Sequence, residues 1–131
     1  MVFVDTGAWF ALSVTSDADH VRAKGFIAQN RERLVTTDFV VDELLTLFVV
    51  RGQKSKGIIW LQDVLDRGGV EVIRVEPADF EAARGVYEQF VDKAWSFTDC
   101  TSYVVMQRLR IGKAFAFDEH YRQFATVLVL P

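Results

Sequence analysis

The sequence is poor in the residues that mark several common protein classes. Its 131 residues include one cysteine, two prolines and two histidines. The single Cys100 cannot form an internal disulfide, which is typical of a protein from a reducing cytoplasm. No apolar run approaches the roughly 20 residues of a membrane-spanning helix. No basic segment precedes an apolar stretch at the start, so we expect no secretory signal.

Charge and known ligand motifs exclude further classes. The net charge of -3 gives no long-range attraction for a polyanion and argues against sequence-independent coating of DNA. Neither GxGxxG nor GxxxxGK[ST] occurs, so no glycine-rich phosphate loop is expected. One cysteine and two distant histidines make no zinc pattern, and no credible Ser/His/Asp set is present.

The residues that are present predict one α/β domain spanning residues 1–131. Half of them are hydrophobic, including 11 Phe and 3 Trp, which is enough for a sizeable core. Short apolar runs alternate with helical patterns, which predicts a parallel sheet with helices on both faces. The predicted strands are 2–4, 33–37, 70–75, 114–117 and 126–130, and the predicted helices are 8–12, 17–30, 38–50, 55–67, 77–91 and 96–109.

Two apolar strands are followed directly by an acid. Asp5 follows the first strand and Asp118 follows the strand of residues 114–117. Ligands of open parallel sheets bind beyond the carboxyl ends of the strands, so neighbouring strands would bring these carboxylates together. Either acid alone is also typical of an ordinary turn. Thr6 is expected to cap the following helix, to orient Asp5 or a water on a metal, or to do both.

Glu43 is predicted to lie in an apolar stripe. On a helical wheel it falls between Phe39, Val40, Leu47 and Val50. A carboxylate in such a stripe costs several kcal/mol unless it is paired or binds a metal. The alternative is an ion pair with an arginine at the edge of the core, Arg108 or Arg110.

Asp99 has two interpretations. Ser96 and Asp99 fit a capping box, in which the serine caps the helix and the acid bonds back to the serine amide. Considered together with the other acids, Asp99 is instead predicted to be a metal ligand.

Four carboxylates that converge on one site would repel one another, and some would have to hold protons. A bound Mg²⁺ or Mn²⁺ ion removes that conflict. Such ions support phosphodiester hydrolysis without a nucleophilic side chain. His120 could assist, although a surface histidine is the simpler expectation.

At this point the sequence resembles the PIN-domain family, and within it the small VapC-type toxins of prokaryotic toxin–antitoxin pairs. The segments that carry the resemblance have the family's order and spacing and extend over the whole chain. They are residues 4–6 (Val-Asp-Thr), 37–44 (Thr-Asp-Phe-Val-Val-Asp-Glu-Leu), 96–100 (Ser-Phe-Thr-Asp-Cys) and 116–121 (Ala-Phe-Asp-Glu-His-Tyr).

The resemblance implies a three-layer α/β/α sandwich and a Mg²⁺- or Mn²⁺-dependent endoribonuclease. It places Asp5, Glu43, Asp99 and Asp118 in an acidic cluster, with Asp5 and Asp99 as direct metal ligands. Thr6 matches the family's small hydroxyl beside the first acid, and Ser96 would support Asp99. The resemblance also implies a homodimer, and an antitoxin whose tail blocks the site.

An RNA substrate must be held against this negative site. Basic side chains beyond Glu43 and around Asp118 are candidates for phosphate contacts, although a solvated surface explains each of them as well. These candidates are Arg51, Lys54, Lys56, Lys113 and Arg122.

Two other functions remain open from the residues. A receiver-like phosphoacceptor domain also has acids at strand ends, but it needs a paired acid after the first strand and a lysine after a later strand. Here the first strand offers only Asp5, and Lys113 precedes its strand. A PIN-like fold kept as a non-catalytic binding module is the second alternative. This alternative does not explain why a non-catalytic protein would keep several acids of like charge buried together.

Overall fold

A five-stranded parallel sheet forms the centre of the molecule in a computed structural model that describes residues 1–124 and 127–131. The strand order is β3-β2-β1-β4-β5, and every neighbouring pair is parallel. The strands are β1 (Val2–Val4), β2 (Leu34–Thr37), β3 (Glu71–Ile73), β4 (Lys113–Phe115) and β5 (Leu128–Leu130).

Six α-helices connect and cover these strands, which makes the fold an α/β/α sandwich as predicted. Two shorter helical segments complete the described structure: a π-helical segment, Leu61–Asp66, and a 3₁₀ helix, Glu119–Gln123. The helices are α1 (Thr6–Ser13), α2 (His20–Gln29), α3 (Asp38–Val50), α4 (Lys54–Trp60), α5 (Pro77–Gln89) and α6 (Phe97–Arg108).

The middle of the sheet positions the acids. All three residues of β1 are fully buried, as expected for a strand covered on both faces. β1 lies next to β4, with Val4 paired to Phe115, and the Asp5 amide donates to the Phe115 carbonyl oxygen at 3.1 Å. The chain segments after β1 and β4 therefore leave the sheet side by side.

Some boundaries differ from the prediction. β4 ends at Phe115 rather than at residue 117, so Asp118 lies in the connection beyond the strand. The predicted helix 55–67 is an α-helix only to Trp60 and continues as the π-helical segment. The prediction for Thr126 falls outside the described residues. None of the described helices is long and apolar enough to cross a membrane.

Candidate metal centre

Asp5 is a buried carboxyl group at the start of α1. It occupies the N-cap position, and 4% of the residue is exposed. The Tyr121 hydroxyl donates a hydrogen bond to Asp5 Oδ1 at 3.0 Å. Burial raises the pKa of Asp5 to about 7, and the negative charge of Asp99 adds to the effect. The group is thus unusually basic for an aspartate while no cation is bound.

Asp99 is both a helix cap and a member of the acidic site. Its amide donates to Ser96 Oγ at 3.0 Å, and Asp99 Oδ2 accepts from the Ser96 amide at 3.0 Å. This is the capping box that the sequence predicts. Asp99 is also 5% exposed, and its charge raises the pKa of Asp5. The two interpretations of Asp99 are therefore compatible, because the cap fixes the carboxylate at the site.

His120 lies between Asp99 and Asp118. Its Nδ1 is 2.7 Å from Asp99 Oδ2 and 3.3 Å from Asp118 Oδ1. Asp118 caps the 3₁₀ helix, and its Oδ1 accepts from the His120 amide at 2.9 Å. The side chain of His120 is 26% exposed, so the expectation of a simple surface histidine is wrong.

Glu43 lies one turn into α3 and is half-buried. Its charge also raises the pKa of Asp5, less than burial and Asp99 do. The predicted alternative, an ion pair of Glu43 with Arg108 or Arg110, is not found among the described residues. The Arg108 guanidinium instead donates two hydrogen bonds of 2.8 Å to the carboxylate of Asp79.

Thr6 is the first residue of α1, so it does not cap that helix. The residue is 5% exposed, and its hydroxyl finds no hydrogen-bond partner among residues 1–124 and 127–131. An orphaned buried hydroxyl beside Asp5 costs free energy unless a water or another ligand satisfies it.

The donor set fits a divalent cation. Asp99, Asp118 and His120 each offer one ligand atom, and these atoms lie within 4.8 Å of one another. Within the described part of the chain, no lysine or arginine pairs with Asp5 or Asp99. Two buried carboxylates without a cationic neighbour other than a histidine, beside the unsatisfied Thr6 hydroxyl, are the environment that Mg²⁺ or Mn²⁺ stabilises.

The basic residues proposed from the sequence are spread over the molecule. Arg122 lies on the 3₁₀ helix that carries His120. Lys113 begins β4 at its amino end and pairs with Glu32, away from the strand ends where the acids lie. Arg51 follows the last residue of α3, about 12 Å along the axis from Glu43.

Lys54 and Lys56 are in the first turn of α4. Lys56 shares the wall of a cleft with Leu34, at the amino end of β2, and with Gly69, which precedes β3. The structure therefore places Arg122 on the helix of His120, where it pairs with Glu119, and places Lys56 and Lys113 towards the amino ends of the strands.

Sequence reasoning missed the roles of His120 and Tyr121. Tyr121 is fully buried although it lies next to exposed Arg122. Both residues lie within three positions of Asp118, so the one turn of 3₁₀ helix after Asp118 places their side chains close to the acids. That short spacing is the signal, but only the position of the 3₁₀ helix shows that both side chains point to Asp99 and Asp5.

Comparison with known proteins adds sequence evidence to this geometry. The family model described as PIN domain matches residues 2–127. The 23S rRNA-specific endonuclease VapC20 of Mycobacterium tuberculosis is 31% identical over 134 aligned positions, which cover 100% of this chain and 99% of the relative.

Solved structures agree with this result. A crystal structure of Mycobacterium tuberculosis VapC20, described as a sarcin-ricin loop cleaving toxin, superposes with a TM-score of 0.92 at 30% identity and full coverage of both chains. A toxin–antitoxin complex from Klebsiella pneumoniae matches with a TM-score of 0.68 at 13% identity, covering 100% of this chain and 97% of the other. This second match concerns the fold alone.

Proposed function

We propose that this chain, which belongs to the PIN domain family, is an endoribonuclease that hydrolyses RNA phosphodiester bonds with Mg²⁺ or Mn²⁺. The observation that carries the proposal is the burial of Asp5 and Asp99 at one edge of the sheet with no lysine or arginine paired to either among the described residues. Apart from the capping role of Asp99, the fold gains no stability from bringing these two carboxylates together, since each charge disfavours the other. A site that binds a divalent cation, by contrast, requires carboxylates that no lysine or arginine already neutralises.

Asp5, Glu43, Asp99 and Asp118 are the residues we propose for the centre, with Asp5 and Asp99 as direct ligands. Glu43 and Asp118 would complete the set directly or through water. A divalent cation bound there supplies Lewis-acid activation of water and charge stabilisation for an in-line displacement at phosphorus.

The remaining residues orient the acids. The Tyr121 hydroxyl donates to Asp5 Oδ1 and fixes the orientation of that carboxylate. The Ser96 amide fixes Asp99 in the same way. Thr6 offers a hydroxyl that no described residue uses, and it suits a water beside Asp5. One of the four carboxylates would orient the attacking water towards the phosphorus atom and receive its proton.

The substrate we propose is a structured RNA, and the chain would be the toxin of a type II toxin–antitoxin pair. Support comes from VapC20, a relative named as specific for 23S rRNA and similar over its full length. A protein of this size selects an RNA site by the shape and stacking of unpaired bases, so a loop of ribosomal RNA is the first substrate to test.

We propose two protein partners, an antitoxin and a second copy of the chain. The name toxin–antitoxin complex, which belongs to a protein of the same fold, supports the first. The homodimer depends on the family resemblance. The single buried cysteine and an intracellular RNA substrate support a cytoplasmic location.

Cleavage of purified ribosomes and 23S rRNA tests the proposal. Cutting should require Mg²⁺ or Mn²⁺ and stop in EDTA. Asp5→Asn and Asp99→Asn should each reduce the rate at least 100-fold, because the amide removes a negative ligand while it keeps the size of the side chain. Asp66→Asn, at an exposed position on the π-helical segment, is the matched control and should cut normally.

Cutting that survives EDTA and both site variants would identify a contaminating nuclease and contradict the proposal. Metal-dependent stabilisation without cleavage of any RNA would favour the non-catalytic binding module. The receiver-like alternative has lost its support, because Lys113 pairs with Glu32 at the amino end of β4.

A further inference from the structure

Among the described residues, His120 supplies the one nitrogen donor of the candidate metal group, beside the carboxylates of Asp99 and Asp118. Its Nδ1 faces Asp99 Oδ2 at 2.7 Å and Asp118 Oδ1 at 3.3 Å, and the side chain is mostly buried. The ring is not part of the acidic set that the sequence predicts. Its position between two proposed ligands raises the question of what it does when a cation is bound.

The spacing of these atoms is that of neighbouring ligands on a metal ion. Two ligands at right angles on an octahedral ion, with bonds of about 2.1 Å, lie about 3 Å apart. The two measured separations bracket that value. In the absence of a cation, Nδ1 is hydrogen-bonded to Asp99 Oδ2 at 2.7 Å and lies 3.3 Å from Asp118 Oδ1. In the tautomer that carries its proton on Nε2, the Nδ1 lone pair of the neutral imidazole would be free to bind a cation.

The backbone holds all three side chains in place before a cation arrives. The Ser96 amide bonds Asp99 Oδ2, and the His120 amide bonds Asp118 Oδ1. The 3₁₀ helix is itself anchored by Tyr121, which is fully buried and bonds to Asp5. A histidine on a short anchored helix loses little conformational freedom on binding, and this favours a role as ligand over that of a mobile side chain.

We propose that His120 binds the cation directly through Nδ1, alongside Asp99 and Asp118, and that this nitrogen makes the site selective for Mn²⁺ over Mg²⁺. Imidazole is a ligand that transition metals accept and that Mg²⁺ disfavours relative to oxygen. The inference depends on the proposed metal centre, and it adds the class of cation that the centre prefers.

Electron spin echo spectroscopy of the purified protein with bound Mn²⁺ tests the proposal. Wild type should show modulation from a directly coordinated ¹⁴N nucleus, and His120→Gln should not. His20→Gln is the matched control, because His20 bonds to the Ala11 carbonyl oxygen and should leave the modulation unchanged. Titrations should show that His120→Gln loses at least about tenfold in Mn²⁺ affinity and less than about threefold in Mg²⁺ affinity.

Bound Mn²⁺ without nitrogen modulation in wild type would overturn the inference and leave His120 as a hydrogen-bond partner only. Metal-dependent RNA cleavage by that same protein would show that the proposed function holds even though His120 is not a metal ligand. Failure of Mn²⁺ to bind at all would overturn both. Because the spectrum is measured first on wild type, the result does not depend on the stability of the variant.

Discussion

At the scale of single residues, each acid of the site is defined by its neighbours more than by its own type. Asp5 and Asp66 are chemically the same residue, but Asp5 is buried against Tyr121 and near Asp99, whereas Asp66 is exposed. Burial raises the pKa of Asp5 to about 7, so the protonated form predominates below that pH in metal-free protein. A cation that binds Asp5 below about pH 7 would therefore displace a proton.

This basicity predicts a pH dependence of stability in metal-free protein. The pKa of Asp5 is raised from 3.8 to about 7 in the folded state. Between these values the folded chain holds a proton that the unfolded chain has released. The free energy of unfolding should therefore fall as pH rises from about 4 to about 7, by up to roughly 4 kcal/mol.

Asp5→Asn should lack this contribution, and the test is urea denaturation in EDTA from pH 4 to 8. The variant should be more stable than wild type at pH 8, and the difference should shrink as pH falls. Asp66→Asn serves as the exposed control and should follow wild type. Parallel curves for Asp5→Asn and wild type would show that Asp5 is not basic in the folded protein.

At the scale of elements, helix α3 shows that a helical wheel alone can assign the wrong side of a helix to the core. The sequence places Glu43 in the centre of an apolar stripe, but the buried side chains of α3 are Val40, Leu44 and Phe48. Val50, predicted within the stripe, is 73% exposed. The helix is apolar on most sides, so its packing against α1, α4 and α6 decides which side is buried, and Glu43 lies at the edge of that side.

Helices α5 and α6 are joined by an ion pair in which the acid is buried and the arginine is partly exposed. Asp79 is 2% exposed and receives two hydrogen bonds from Arg108 as well as one from the Glu76 amide. Burial opposes ionisation most strongly, but the hydrogen bonds from Arg108 and the Glu76 amide, together with the charge of Arg108, outweigh it and lower the pKa of Asp79. The pair therefore stabilises the fold above about pH 4 and is lost as pH falls further.

Removal of this pair should destabilise the packing of α5 on α6. Arg108→Ala leaves the Asp79 carboxylate buried without its cation and should lower the free energy of unfolding by about 2 kcal/mol at pH 7. Arg84→Ala is the matched control, since Arg84 pairs with Glu88 on the exposed face of α5 and should cost less than about 0.5 kcal/mol. Equal losses in the two variants by urea denaturation would refute the role of the pair of Arg108 with Asp79.

At the scale of the whole molecule, an acidic protein must accept a polyanion. The net charge of -3 repels RNA weakly at a distance, so binding depends on where individual cations lie. Arg122 lies on the helix that carries His120, and Lys113 lies at the opposite end of β4. Lys54, Lys56 and Arg51 stay proposed phosphate contacts for parts of a large RNA beyond the cleavage site.

This difference in position predicts a difference in salt dependence. Arg122→Ala should raise the KM for RNA and reduce the slope of log KM against log salt by about 1, because one phosphate contact is lost. Lys113→Ala removes the same charge far from the acids and should leave the slope unchanged. Steady-state cleavage between 50 and 300 mM KCl measures both. An unchanged slope in Arg122→Ala would remove this residue from the RNA surface.

Much of the fold could be predicted from the sequence, because its signals are local. The buried run of residues 2–4, the Ser96 capping box and the alternation of strands with helices predict a parallel α/β/α sandwich. The acids after β1 and β4 indicate a shared edge, since parallel strands end on the same side of a sheet. These features depend on residues a few positions apart, so the chain alone determines them.

Only the tertiary structure decided what surrounds those acids. Adjacent β1 and β4 bring Asp5 beside the segment after β4, and one turn of 3₁₀ helix then directs Tyr121 to Asp5 and His120 to Asp99. Burial, the pKa of Asp5 and the separation of ligand atoms all depend on contacts between residues as far apart as 5 and 121. No periodicity or motif encodes such distances, because desolvation and hydrogen bonding act through space.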